Sequence, residues 1–252
     1  MRRILTCLMV VSAAALIGTG CSRDSSTGPD DFANGRATAV QQSLVTGIDY
    51  FDVGYPYVAW QDGFETYTVG TWPPTFKADG NAPVPPNGIV NDVFYEGAQS
   101  LRLYGVVGGC WAGCAYRALT VSPPYEVKVA VYNGNEPLSS SCQPARGHVG
   151  ILAGTNWWDP WRTFVYFNRY GEIISSGGEV LGTYNSLEWY LLRIRYERID
   201  EGNVRLRYWV NNRYILSETL PVRTEEDNMV TLTFEALEGS AWFDAAEVRD
   251  RH

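Results

Sequence analysis

The clearest alternation of apolar and polar positions runs from Trp189 to Asn212, WYLLRIRYERIDEGNVRLRYWVNN. Tyr190, Leu192, Ile194 and Tyr196 share one face of a strand, and Leu191, Arg193, Arg195 and Glu197 share the other. After the polar turn Asp200-Glu201-Gly202-Asn203, Val204, Leu206, Tyr208 and Val210 repeat the apolar face, while Arg205, Arg207, Trp209 and Asn211 repeat the polar one. Period two with a turn between predicts a β-hairpin, and its greasy face has to be covered by a second layer. The same period recurs at Ser100–Tyr104, at Tyr125, Val127, Val129 and Val131, at Phe164–Phe167 before an Asn168–Gly171 turn, at Val230, Leu232 and Phe234, and from Trp242 to Val248. Pro73, Pro74, Pro83, Pro85 and Pro86 mark Trp72–Gly88 as a long loop. Almost nothing reads as a long amphipathic helix. The prediction is an all-β protein, a two-sheet antiparallel sandwich.

The first residues follow a different pattern. Met1-Arg2-Arg3 is basic, Ile4–Ile17 is almost wholly apolar, and Gly18-Thr19-Gly20 precedes Cys21. This reads as an export signal over residues 1–20, too short for an ordinary membrane span. Residues 21–58 read as a tether and N-terminal arm: 23–35 are rich in Ser, Asp, Gly and Pro, and Val45–Val58 is either an added strand or an arm laid over the domain. The sandwich domain is placed at 59–252. The formal charge of −8 includes Arg2 and Arg3, so it becomes about −10 once the signal is removed. Such a chain, without a basic tract, disfavours nucleic acid and anionic membrane as partners.

Two resemblances sharpen this reading. The N-terminus resembles a bacterial lipoprotein signal, which implies lipidation at Cys21, with Gly18 departing from the usual leucine. Ser22 after the cysteine resembles outer-membrane-directed lipoproteins. The location implied is the outer membrane or cell surface, with membrane contact only through the lipid; cleavage without a lipid, giving a periplasmic or secreted protein, is the alternative. Along the domain, DGFETYTVGTWPP, YEGAQSLRLYG, FVYFNRYGEI, LGTYNSLEWYLLRIRY, VRLRYWVNN and AWFDAAEV resemble, in order, the strands of the concanavalin A-like lectin/glucanase superfamily, jelly-roll domains that include laminin-G-like and carbohydrate-binding modules, hydrolases and lyases. A shared fold leaves function open.

Three groups of residues carry candidate chemistry. The polar hairpin face gathers Arg193, Arg195, Arg205, Arg207 and Trp209: the indole suits a sugar ring and the guanidinium groups suit uronate or sulfate. Trp157, Trp158 and Trp161, with Tyr166 and Tyr170, are a further aromatic group, read as one rim of a cleft. Glu65, placed on the first strand, and Asp244, on the last, with Asp62 nearby, would make an oxygen-rich site suited to one structural calcium ion, as such residues do in the modules this chain resembles; solvated strand-end carboxylates are the alternative.

Zinc is disfavoured, because the only histidines are His148 and His252. Cysteines of an exported chain favour a disulfide, either Cys110–Cys114 closing a short glycine-containing loop, the reading preferred, or Cys114–Cys142. Catalysis is less favoured. The E-x-D-x-x-E type glucanase motif and the Gln-x-His lyase motif are both absent, and His148 has no evident partner. The function expected is therefore non-catalytic binding of a polysaccharide or other glycan, including an acidic one. The alternatives are a structural or adhesion protein that binds another protein, and a divergent glycoside hydrolase or polysaccharide lyase, the lyase using Tyr166 or Tyr170.

Overall fold

The hairpin read from the sequence forms between β11 (Trp189–Arg198) and β12 (Asn203–Val210), with Leu192 opposite Val210 and Tyr196 opposite Leu206. Asp200 sets the turn: its Oδ1 accepts the Gly202 N–H at 2.9 Å and the Asn203 side-chain amide at 2.9 Å. These bonds favour the ionised carboxylate and hold its pKa below the usual value.

The computed structural model describes residues 55–80, 82–107, 112–138, 145–153, 163–221 and 229–251. The remaining strands are β1 (Tyr57–Asp62), β2 (Lys77–Gly80), β3 (Gly88–Val90), β4 (Ser100–Gly105), β5 (Gly113–Thr120), β6 (Tyr125–Asn133), β7 (Ala145–Ala153), β8 (Thr163–Asn168), β9 (Glu172–Ile174), β10 (Val180–Thr183), β13 (Arg213–Pro221), β14 (Met229–Ala236) and β15 (Gly239–Asp250). The described residues contain no helix. All strand pairs are antiparallel. One eight-stranded sheet runs β13-β12-β11-β6-β15-β4-β3, with β1 also on β15; a seven-stranded sheet runs β10-β9-β8-β7-β14-β5-β2. The chain repeatedly changes sheet, at β1 to β2, β2 to β3, β4 to β5, β5 to β6, β6 to β7, β10 to β11, β13 to β14 and β14 to β15, and so winds around the sandwich as a jelly roll.

The core lies between the sheets. Tyr190, Leu192, Ile194, Val127, Val129, Val131 and Phe243 face Val149, Ile151, Val165, Phe167, Leu232 and Phe234. Phe243 and Phe234, from opposite sheets, stack with centroids 4.9 Å apart, and Phe167 meets Tyr190 edge-on at 6.0 Å. Removing these apolar surfaces from water drives the association of the two layers.

Two local readings need correction. Trp72–Gly88 is not wholly loop, because Lys77–Gly80 is a strand that pairs with Tyr116–Gly113 of β5. Glu65 is not on the first strand; β1 ends at Asp62 and Glu65 lies in the turn after it. One irregularity shapes the end of the sandwich. A single edge of β15 is divided between β4, beside Gly239–Phe243, and β1, beside Ala246–Asp250. Between them β15 bulges, with its register shifted between Asp244 and Glu247 and Ala245 at φ +47°.

Candidate functional site

The predicted arginines and Trp209 share the outward face of the eight-stranded sheet, as the alternation requires. Arg193 stands opposite Trp209, and Arg195 opposite Arg207 on one side and Glu126 of β6 on the other. The expectation that Arg193 and Arg195 stand open is corrected. Arg193 is only 4% exposed. Fully buried Glu126 draws both guanidinium groups inward: its Oε2 lies 3.3 Å from Arg193 Nε and accepts from Arg195 Nε at 3.0 Å. Trp209 roofs the cluster, with the Arg193 guanidinium 4.0 Å and that of Arg195 5.3 Å from its ring centroid. Tyr55, itself fully buried, lies 4.6 Å over Arg195.

The outer part of this face is open. The side chains of Arg205 and Arg207 are 44% and 28% exposed and share Glu197, at 3.9 and 2.7 Å. Trp209 meets half-exposed Tyr214 of β13 edge-on at 5.4 Å. Among the described residues, Arg193, Arg195, Arg205 and Arg207 thus meet the two glutamates Glu126 and Glu197, on a chain of net −8. Tyr214 was not singled out in the sequence; a register shift between Tyr208 and Trp209 brings it opposite Trp209, and hydrophobic pattern does not signal such a shift.

Tyr166 belongs to the other sheet. Val165 and Phe167 point into the core, so Tyr166 points outward from the seven-stranded sheet, away from Trp209. Tyr166 and the Trp209 face therefore lie on opposite faces of the sandwich. Trp157, Trp158 and Trp161 lie outside the described residues. Tyr170, 69% exposed, stacks with Arg169 in the turn after β8.

Tyr166 does find His148, for which the sequence suggested no partner. Glu235, His148 and Tyr166 are register partners across β14, β7 and β8. His148 Nδ1 lies 3.4 Å from Glu235 Oε2, and the imidazole and phenol centroids are 5.4 Å apart. His148 and Glu235 are buried although they face outward. Buried Cys114, opposite Glu235 on β5, has its Sγ 3.9 Å from Glu235 Oε1. Cys110, Cys142 and the lipidation candidate Cys21 lie outside the described residues.

Glu65 and Asp244 approach the same loop from different elements. Asp244 Oδ2 accepts the N–H groups of Tyr95 and Glu96 at 2.7 and 3.0 Å, and Oδ1 accepts that of Ala245 at 2.6 Å. Glu65 Oε1 accepts the N–H groups of Ala98 and Gln99 at 2.9 and 3.0 Å. Desolvation pushes the Asp244 pKa up to about 7 against the pull of those N–H groups, with Glu65 adding repulsion. This charge suits a cation, but the donor set does not form a cage: the engaged oxygens are already hydrogen-bonded, and the described residues contain no group of three or more His, Cys, Asp or Glu placed to hold a metal. The geometry makes the two carboxylates clamps for the 95–99 loop.

No family model and no curated protein matches this sequence. Among solved structures it is similar to an endo-β-1,4-glucuronan lyase from the fungus Trichoderma reesei, at 10% identity over 77% of this chain and 91% of that one, with a TM-score of 0.49. It is also similar to a PL-14 alginate lyase from Aplysia kurodai, at 10% identity over 77% and 100%, TM-score 0.46, and to TmCBM61 in complex with β-1,4-galactotriose, at 9% identity over 77% and 99%, TM-score 0.40. At these identities and TM-scores the likeness assigns no activity to this chain.

Proposed function

We propose that this protein is a non-catalytic glycan-binding protein of the bacterial cell envelope, anchored through lipid on Cys21, and that it binds an acidic polysaccharide at the open edge of the eight-stranded sheet. The observation that carries the reading is the Trp209–Tyr214 pair flanked by Arg205 and Arg207. An indole offers an apolar plane to the C–H face of a sugar ring. Guanidinium groups offer paired N–H donors to a uronate carboxylate or a sulfate. Arg193 and Arg195 do not touch ligand in this account. Clamped by Glu126, they are positioning residues that support the Trp209 ring from beneath.

A glycan array with the mature protein tests the proposal. Binding to uronate or sulfated chains, lost on Trp209→Ala and weakened by salt, supports it. A correctly folded protein that binds no glycan refutes it. Mass spectrometry of the exported N-terminus tests the anchor, since an unmodified start elsewhere than Cys21 removes it.

The grouping of His148, Tyr166 and Glu235 favours one second reading, a divergent lyase. Such an enzyme needs a proton acceptor and a proton donor beside the sugar, and imidazole and phenol are adjacent here. Incubation with alginate or pectin tests it through the ultraviolet absorbance of unsaturated products.

A further inference from the structure

The end of the sandwich holds a cleft of about 610 Å³ whose lining includes Asp62 and Glu65, the carboxylates of the calcium expectation. It opens where the edge of β15 is divided between β1 and β4, and it is remote in chemistry from the arginine face. Its carboxylates are Asp62, Glu65, Glu96 and Glu247, set against Arg117 and Lys128 as its cations, which leaves two negative charges in excess. Both cations are engaged. Lys128 Nζ lies 3.1 Å from Glu247 Oε2, and the Arg117 guanidinium sits 5.2 Å over the ring of half-buried Trp60. A hydrogen-bonded chain runs along the wall, from Thr75 Oγ1 through Tyr67 Oη at 2.7 Å to Asp62 Oδ2 at 2.6 Å. Two lining residues, Phe64 at φ +62° and Ala245 at φ +47°, hold backbone conformations that side chains other than glycine seldom adopt. Conformations of this kind persist where the surroundings impose them, and they gather at ligand sites.

We propose that this cleft binds a short uncharged oligosaccharide of two or three sugars. The volume lies within the range of small-molecule sites. Excess carboxylate repels uronates and sulfates but accepts hydrogen bonds from hydroxyl groups, the stronger for being ionised acceptors. Trp60 and Tyr67 supply the apolar surface that a sugar ring covers. A metal ion is a poorer fit, because Asp62 and Glu65 already accept hydrogen bonds within the fold. The inference is independent of the acidic-glycan reading: the two sites have opposite charge and different residues.

The test is calorimetric titration of the full mature protein with neutral β-1,4-linked trisaccharides of glucose, galactose and mannose, and with a uronate trisaccharide. The expected result is that a neutral trisaccharide binds, and that its affinity falls by about tenfold or more, the equivalent of about 1.4 kcal/mol, in Trp60→Ala and in Glu96→Lys. Trp209→Ala leaves it unchanged. Glu96 is exposed, so its substitution probes the site without burdening the core. The proposal is overturned if no neutral trisaccharide binds at millimolar concentration, or if binding survives both cleft substitutions. Loss of uronate binding alone in Trp209→Ala reports on the arginine face and leaves the cleft standing.

Discussion

Replacing Glu126 with Ala removes a carboxylate that both Arg193 and Arg195 approach on the outward face of β6 and β11. Arg195, whose side chain is 16% exposed, has a short path to water. Arg193, 4% exposed beneath Trp209, does not. Breaking a buried ion pair from one side costs about 3–5 kcal/mol, because a desolvated charge is left behind. The lower end applies here, since Trp209 still faces the Arg193 guanidinium and Arg195 relaxes outward. With an m-value near ~2.5 kcal/mol/M in urea, a loss of about 3 kcal/mol moves the unfolding midpoint down by about 1.2 M. The double variant Glu126→Ala with Arg193→Met is expected to recover about half of this loss, because an apolar chain replaces a buried charge that has lost this carboxylate. Urea unfolding followed by far-ultraviolet circular dichroism measures both. A midpoint shift below ~0.3 M in the single variant, or no recovery in the double, refutes the idea that Glu126 organises this face.

The folded-state pKa of Asp244 is raised from 3.8 to about 7, so its stabilising contribution is complete below 3.8 and is lost as pH rises through about 7. Between pH ~5.5 and ~8 the loss is about 2 kcal/mol, visible as a difference in urea stability between wild type and Asp244→Asn; equal pH profiles contradict the burial argument. Because the carboxylates of Asp244 and Glu65 are taken up by backbone N–H groups, added calcium is expected to leave the melting temperature at pH ~8 unchanged; a rise on adding calcium, reversed by chelation, would show that an ion does bind there. Gly97 has φ +66°, and a Cβ there would run into the Glu65 carboxylate. Gly97→Ala is therefore expected to cost about 1–2 kcal/mol, read by thermal denaturation, and a neutral result would mean that the loop yields. On the seven-stranded sheet, Tyr166→Phe is expected to leave acidic-glycan binding unchanged, and a tenfold loss in calorimetry would move the site to that face.

The inward and outward register of the hairpin was legible because period two is written directly into Tyr190–Tyr196 and Val204–Val210, and one face had to be buried. Which outward residues stay open was not. Arg193 and Arg195 read as a solvated arginine face until β6 is placed beside β11, because only that pairing sets Glu126 next to them. His148 looked isolated for the same reason. Its partner Glu235 is 87 residues away and becomes a neighbour only when β14 and β7 come into register. Glu65 and Asp244 were read as a pair of cation ligands, but the oxygens that engage the 95–99 loop accept its backbone N–H groups, and local pattern does not encode the course of that loop. Tyr166 and Trp209 both read as outward-facing candidates, yet they belong to different sheets. Alternation assigns a residue to a face of its own strand but does not say which sheet the strand joins.

The central claim is recognition of an acidic glycan by Trp209, Tyr214, Arg205 and Arg207. Its most direct measurement is titration of the mature protein with a uronate oligosaccharide while the tryptophan fluorescence is followed, in wild type and in the Arg205→Ala, Arg207→Ala double variant. The account predicts a saturable change in wild type, an affinity that falls as salt rises, and a loss of about tenfold or more in the double variant. Equal affinity in both proteins, or the absence of uronate binding by folded wild type, contradicts it.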